Sequence, residues 1–111
     1  MVVVVVVYVL ELAHGRWYVG ASSERSFKQR MHAHFGGTGA VWTRAYAPVR
    51  ISKVFVGGDH IVENAVTKRY MRRYGIDRVR GGSYCTLRLD IPTLAFLTAE
   101  LADGVGGPGC A

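Results

Sequence analysis

An N-terminal run of valines is the feature that most restricts how this chain can fold. Positions 2 to 7 are all Val, Tyr8, Val9 and Leu10 follow, and the first charged side chain is Glu11. The run falls well short of the ~20 apolar residues of a membrane-spanning helix, and it lacks the basic flank and cleavage site of a signal peptide. β-branched side chains pack well on a pleated surface. The run therefore predicts a strand over 2–12 that is buried on both faces of a sheet.

Size and charge restrict the class of protein. The chain has 111 residues, of which 50% are hydrophobic, so we expect one domain with a real core over residues 1–102. Residues 103–111 contain four glycines and one proline and are predicted to form a disordered tail. Cys85 and Cys110 provide neither a disulfide framework nor a zinc-binding pair, which favours an intracellular protein, in cytoplasm or nucleus, over a secreted one. The net charge of +6 favours an anionic partner, most simply nucleic acid, and no membrane.

The pattern of apolar residues predicts an α+β domain of order β-β-α-β-α-α, built on a three-stranded antiparallel sheet. A turn over 13–16 joins the first strand to a second one, as in a hairpin. Ser22 and Ser23 are candidate N-caps of the first helix, and Asp59 is a candidate N-cap of the second. The predicted segments after the first turn are a strand over 17–21, a helix ending at Gly36–Gly37, a loop over 36–48, a strand over 49–56, a helix over 60–74, an irregular segment over 76–84 and a helix over 90–102.

Five side chains on four predicted elements form a set that suits phosphodiester hydrolysis. Tyr8 and Tyr18 lie on the two arms of the hairpin, Arg30 and His34 share a face of the first helix, and Glu63 is the only acidic residue of the second long helix. A carboxylate can hold one Mg²⁺, and an arginine can clamp a phosphate through its planar fork. A tyrosine can position or deprotonate the attacking water.

At these residues the sequence resembles the GIY-YIG nuclease family. Val6-Val7-Tyr8 stands at the first motif, with Val at both positions before the tyrosine, and Tyr18-Val19-Gly20 stands at the second. Arg30 and His34 fall at the family's arginine and its following His/Tyr position, with about two extra residues after the glycine. Glu63 matches the family's metal-binding glutamate.

The likeness covers residues ~3–85, and its later stretches look like small stand-alone members found among large DNA viruses and microbes. It implies a metal-dependent DNA endonuclease that leaves 5′-phosphate and 3′-hydroxyl ends. Glu63 would bind one Mg²⁺ or Mn²⁺, Tyr8 or Tyr18 would orient or deprotonate the attacking water, and Arg30 would stabilise the phosphate. His34 would contact phosphate or shuttle a proton, unless it is only a cation near the helix end.

One departure from the family keeps other interpretations open. Most members carry an asparagine after a tyrosine where this chain has Tyr84 followed by Cys85. Ser83 or a backbone group would have to substitute, because Asn64 is too close to Glu63. The alternatives are a catalytically weak or inactive nucleic-acid-binding module of the same fold, and a small RNA-binding domain that stacks bases on sheet aromatics.

Basic residues outside the five are candidate DNA contacts. Several follow one side of the second long helix, where a solvated face is the simpler interpretation, although the charge of the chain favours phosphate contact. No zinc finger or helix-turn-helix is visible, so selectivity is left to DNA structure or to a protein partner, and oligomeric state is left open. The candidates are Lys28, Arg44, Lys68, Arg69, Arg72 and Arg73.

Overall fold

A computed structural model describes residues 2–106, with side chains described through Ala102. Over these residues the chain is an α+β fold with a four-stranded mixed sheet. Short 3₁₀ turns at Ala13–Gly15 and Ile76–Arg78 precede the second and fourth strands. The elements in chain order are β1 (Val5–Leu12), β2 (Arg16–Ser23), α1 (Phe27–Phe35), α2 (Val41–Ala45), β3 (Pro48–Val56), α3 (His60–Tyr74), β4 (Val79–Gly81) and α4 (Ile91–Gly106).

Strand β1 lies inside the sheet, whose strand order is β3-β1-β2-β4. It pairs antiparallel with both β2 and β3. Tyr8 and Val9 point to opposite faces, and both are fully buried. This confirms the predicted strand that is buried on both faces. The strand begins at Val5 rather than at Val2, which is 89% exposed and precedes the first paired residue.

The prediction of a three-stranded antiparallel sheet is wrong, because β4 adds a fourth, parallel strand. It pairs with β2 through Trp17 opposite Val79 and Val19 opposite Gly81. β4 lies in the segment that was predicted to be irregular. A strand of three residues is too short to show an alternating pattern, so its position depends on contacts distant in the sequence.

Other boundaries differ locally. Ser22 and Ser23 belong to β2 and do not cap α1, although the Ser23 hydroxyl accepts a hydrogen bond from the Ser26 backbone amide at 3.1 Å. The predicted 36–48 loop contains the short helix α2. Helix α4 continues to Gly106, four residues beyond its predicted end, and residues 107–111, including Cys110, lie outside the described part of the chain.

Helix α3 has the predicted bounds, His60–Tyr74. The Asp59 carboxylate accepts hydrogen bonds from the amides of Ile61 and Val62, at 3.0 and 3.1 Å, which satisfies two of the otherwise free donors of the first turn. Gly75 ends the helix with a φ of 105°, a backbone conformation that favours glycine. None of the helices within residues 2–106 has the length and apolar character needed to cross a membrane.

The sheet divides the apolar clusters of the core between its two faces. Tyr8 and Tyr18 point to the face covered by α1 and α2, which we call the tyrosine face. Val9 and Val19 point to the opposite face, covered by α3, which we call the α3 face. This separation follows from the pleat, since successive side chains of a strand point to opposite sides.

Arg80 holds β4 and the following loop against the rest of the fold. Its side chain is buried, and the guanidinium lies 4.6 Å from the centroid of the Trp42 ring. Four backbone carbonyls surround the guanidinium and accept hydrogen bonds of 2.6–3.2 Å; they belong to Ile76, Val79, Thr86 and Leu87. The charge is therefore buried with its donors paired, which is the condition under which such a group is tolerated.

Replacing Arg80 with methionine leaves those four carbonyls without their donors. We expect Arg80→Met to lower the free energy of unfolding by about 3 kcal/mol or more, measured by urea denaturation. Arg78→Met, at an exposed neighbour, is the control and changes stability by less than about 0.5 kcal/mol. Equal stability of the two variants would contradict the role assigned to Arg80.

Candidate active site

A chain of hydrogen bonds crosses the tyrosine face. The Tyr8 hydroxyl lies 2.8 Å from Nε2 of His34, and Nδ1 of His34 lies 3.0 Å from the Thr43 hydroxyl. Thr43 in turn donates to the Ala40 carbonyl at 3.0 Å. The chain joins β1, α1 and α2, and Tyr8, His34 and Thr43 are all buried.

The hydrogen-bond partners in this network determine which group donates and which accepts in each bond. Thr43 has one hydroxyl hydrogen, which goes to the Ala40 carbonyl, so its oxygen must accept from His34 Nδ1–H. Nε2 then carries a lone pair and accepts the Tyr8 O–H. The tautomer with its proton on Nε2 would make only two of these three hydrogen bonds. Thr43 would then donate to His34 Nδ1, and its hydrogen bond to the Ala40 carbonyl would be lost. The network thus holds a neutral imidazole that accepts from a neutral phenol.

Two glycines make room for this arrangement. Gly20 lies directly opposite Tyr8 on β2, where a Cβ would come within 2.5 Å of the phenol oxygen. Gly39 lies against the imidazole of His34, and a Cβ there would overlap Nδ1. Gly20 is the last residue of the second family-like motif. The resemblance also extends over residues 39–44, but no role was predicted for Gly39 or Thr43.

Burial keeps these groups in their neutral forms. Burial lowers the pKa of His34 to about 4, and the nearby positive charge of Arg30 acts in the same direction. His34 is therefore not the helix-end cation that was one interpretation of the sequence. Burial raises the pKa of Tyr8, and the Arg30 guanidinium partly opposes that effect.

Tyr18 stands beside the Tyr8–His34 pair. Its ring centroid lies 5.1 Å from that of His34 and 6.4 Å from that of Tyr8. Burial raises the pKa of Tyr18, and the neighbouring Tyr8 acts in the same direction. Within the side chains of residues 2–102 the Tyr18 hydroxyl has no hydrogen-bond partner, so it is free to bind a water or a phosphate oxygen.

Arg30 is exposed on α1, yet its charge acts on every other member of the set. Burial raises the pKa of Tyr8, Tyr18 and Glu63, and the charge of Arg30 opposes that rise; the same charge adds to the effect of burial in lowering the pKa of His34. An exposed guanidinium beside buried phenols is suited to bind a phosphate that approaches from solvent.

Glu63 reaches the site from the first turn of α3. The side chain is half-buried, and burial raises the pKa of its carboxyl, while the Gly82 amide, His60 and Arg30 oppose that effect. The carboxylate also raises the pKa of both Tyr8 and Tyr18. The charge of Arg30 thus acts on the other four predicted residues, and the charge of Glu63 acts on both tyrosines.

Asn64 fixes the turn that follows β4 next to Glu63. Its side-chain amide donates to the Ser83 hydroxyl at 3.0 Å, and its carbonyl oxygen accepts from the Ser83 backbone amide at 2.8 Å. A Cβ on Gly82, whose φ is 53°, would overlap the Asn64 side chain. Asn64 therefore positions the backbone beside the carboxylate, and Ser83, a candidate substitute for the family's asparagine, is engaged by Asn64.

The donor set decides what kind of metal site can exist here. Within the described residues no group of three or more His, Cys, Asp or Glu side chains could share one ion. The Glu63 carboxylate alone cannot supply all the ligands that a metal ion needs. It does fit Mg²⁺, which is commonly held by one or two carboxylates, several waters and substrate phosphates. Mn²⁺ also suits carboxylate and water ligands.

The candidate DNA contacts do not form one surface. Lys28 and Arg44 are exposed on α1 and α2. Lys68 is paired with Glu100 of α4 at 2.7 Å. The remaining three divide around α3: Arg72 lies toward α4, whereas Arg69 and Arg73 line a cavity on the α3 face.

No family model, curated protein or solved structure matches the chain.

The low pKa of His34 predicts a pH-dependent loss of stability. An unfolded imidazole titrates near 6.5 and the folded one near 4, so between these pH values the unfolded chain binds more protons. Stability from this group is complete above pH ~6.5 and falls by up to about 3 kcal/mol as the pH drops through 4.

The control is His34→Gln, which has no titrating ring and keeps a polar side chain. We expect the difference in unfolding free energy between the two proteins to shrink as the pH falls from 7 to 4. A pH-independent difference, or an NMR titration that places the pKa of His34 near 6.5, would contradict the buried neutral imidazole.

Proposed function

We propose that the protein is a metal-dependent DNA endonuclease of the GIY-YIG type. It would hydrolyse one phosphodiester bond per site and leave 5′-phosphate and 3′-hydroxyl ends, acting inside the cell on DNA. The observation that carries the proposal is the convergence of Tyr8, Tyr18, Arg30, His34 and Glu63 from four elements around one exposed guanidinium.

Tyr8 and His34 would move the proton of the attacking water. Because the Tyr8 O–H is directed at His34 Nε2, the phenol oxygen keeps a lone pair that would accept a hydrogen bond from that water. Tyr8 is fully buried and the Arg30 side chain lies at its hydroxyl, so the water would enter only when the exposed Arg30 moves aside. As the water's oxygen attacks phosphorus, one water proton passes to the Tyr8 oxygen and the phenol proton passes to Nε2. No free tyrosinate is formed, which agrees with the raised pKa of Tyr8.

Arg30 would bind the phosphate and stabilise the charge that develops on it, through preorganised electrostatics. The incoming phosphate would also offset the positive charge that His34 gains with its second proton. When bound to Glu63, Mg²⁺ or Mn²⁺ would neutralise charge on the scissile phosphate and stabilise the leaving oxygen. Tyr18 would orient the water or a phosphate oxygen.

The second candidate is a nucleic-acid-binding module of the same fold with weak or no catalysis. It is favoured by the segment after Tyr84, which lacks the family's asparagine, and by Asn64, whose side chain is used by Ser83. Metal-dependent nicking of supercoiled plasmid separates the two candidates. An RNA-binding sheet is disfavoured, because Tyr8 and Tyr18 are 0% and 6% exposed and cannot stack on bases.

Glu63→Gln tests the metal ligand. The change keeps size and hydrogen-bonding capacity but removes the charge, so we expect plasmid nicking to fall by at least roughly 10³-fold. Excess Mn²⁺ should not restore it, and chelator should stop the wild-type protein. Glu24→Gln, at an exposed carboxylate near α1, is the matched control and nicks like the wild type. Normal nicking by Glu63→Gln would remove Glu63 from the site.

The hydrogen-bond network predicts unequal roles for the two tyrosines. Tyr8→Phe removes the proton carrier and should slow nicking by roughly 10²–10⁴-fold, whereas Tyr18→Phe should slow it less. Tyr8→Phe also leaves Nε2 of His34 unpaired, at a stability cost of about 1–3 kcal/mol. Tyr46→Phe, outside the network, controls for loss of a phenol. Nicking rates are measured below the melting transition of each variant. A larger fall in rate for Tyr18→Phe than for Tyr8→Phe would make Tyr18, and not Tyr8, the proton carrier.

A further inference from the structure

A concave site of different chemistry lies on the α3 face of the sheet. A cavity of about 600 Å³ opens there, within the range of about 300–1,000 Å³ that is usual for ligand pockets. Its walls combine cations from α3 and β3 with aromatic rings from α3 and β2. The residues used below are Trp17, Lys53, Arg69, Tyr70, Arg73 and Tyr74.

The cavity carries excess positive charge. Arg69 and Arg73 are four residues apart on α3 and therefore share a face of the helix. Lys53 faces them from β3, opposite Val9 in the sheet register. Arg50, which also lines the cavity, is paired with Glu11 at 2.6 Å. Among the side chains described, those of residues 2–102, no ion pair neutralises Arg69, Arg73 or Lys53.

Three aromatic rings form one wall. Trp17 stacks on Tyr74, with ring centroids 4.7 Å apart and an interplanar angle of 24°. Tyr70 completes the group at 5.4 Å from Trp17 and 5.8 Å from Tyr74. All three are half-buried and line the cavity, so ring surface is available to a ligand without rearrangement of the core.

The cavity is separate from the candidate active site. Trp17 and Tyr18 are consecutive in β2 and point to opposite faces of the sheet. The ligand of the cavity is therefore held by residues that take no part in the proposed hydrolysis.

We propose that this cavity binds an unpaired nucleotide of single-stranded nucleic acid. Arg69 and Arg73 would bind consecutive backbone phosphates, and the base would contact the wall formed by Trp17 and Tyr74. Cations beside aromatic rings are the combination that binds single strands without sequence preference. The bases of an intact duplex are stacked on each other, so they cannot enter a concave site. The inference rests on the proposed interaction with nucleic acid but not on catalysis.

The two tryptophans allow a direct test. Trp17 lines the cavity, whereas Trp42 is 3% exposed on the opposite face. We expect a short single-stranded oligonucleotide, added to the full chain in chelator, to quench tryptophan emission. Trp17→Phe keeps an aromatic ring and should abolish the quenching. Quenching that persists in Trp17→Phe would place the bound base elsewhere.

The arginine pair provides the second measurement. Arg69→Ala with Arg73→Ala should weaken single-strand binding, followed by anisotropy, by roughly tenfold or more and reduce the salt slope by about 1.4, at about 0.7 per phosphate. Arg78→Ala with Arg88→Ala removes the same charge from exposed sites outside the cavity. It should change affinity by less than about twofold, because distant surface charges are screened. Equal losses in the two double variants would overturn the site.

Duplex DNA of the same sequence and heparin, tested in the same assay, show whether the cavity recognises an unpaired base or only negative charge. The proposal requires that the single strand quenches Trp17 emission and that neither competitor does. Equal quenching by heparin would make the cavity a general anion site and overturn the base contact. If the wild-type protein binds single strands at the cavity but does not nick plasmid, the proposed endonuclease activity is refuted and the proposed cavity site stands. If it nicks plasmid but does not bind single strands at the cavity, only the cavity site is refuted.

Discussion

Burial of β1 on both of its faces is the constraint on which the rest of the structure depends. A strand paired on both edges and covered on both sides leaves no freedom of register, because a slip of one residue would exchange Tyr8 with a valine. The pleat then assigns the phenol to the tyrosine face and Val9 to the α3 face. The separation of the candidate active site from the basic cavity is thus already determined within two consecutive residues.

That burial obliges the tyrosine face to satisfy its own polar groups. A buried phenol or imidazole without a partner would cost roughly 1–3 kcal/mol each. The Tyr8–His34–Thr43 chain avoids this cost and ends on a backbone carbonyl, so each donor has an acceptor. The same pairing that stabilises the core also fixes the tautomer of His34, and the proposed proton transfer depends on that tautomer.

The features predicted from sequence are those determined by neighbouring residues. The valine run, the Asp59 cap and the bounds of α3 depend on local pattern, and the structure has them as predicted, apart from the start of β1. β4 and α2 were missed because each is short and depends on distant contacts: β4 on its pairing with β2, and α2 on the burial of Trp42. Thr43 was missed for the same reason, since its partner His34 lies nine residues away. The nuclease chemistry itself stays a proposal that experiments must test.

A series of packed groups leads from Thr43 to the backbone beside Glu63 and joins the two ends of the candidate site. Trp42, next to Thr43, donates its indole N–H to the Trp17 carbonyl at 3.0 Å and lies against the Arg80 guanidinium. Arg80 fixes β4, whose following turn is bound by Asn64 beside Glu63. The acceptor of His34 and the backbone next to the carboxylate are therefore held by one continuous set of packed groups, which includes the loop after β4. This set fixes the relative position of the proposed base and the proposed metal ligand.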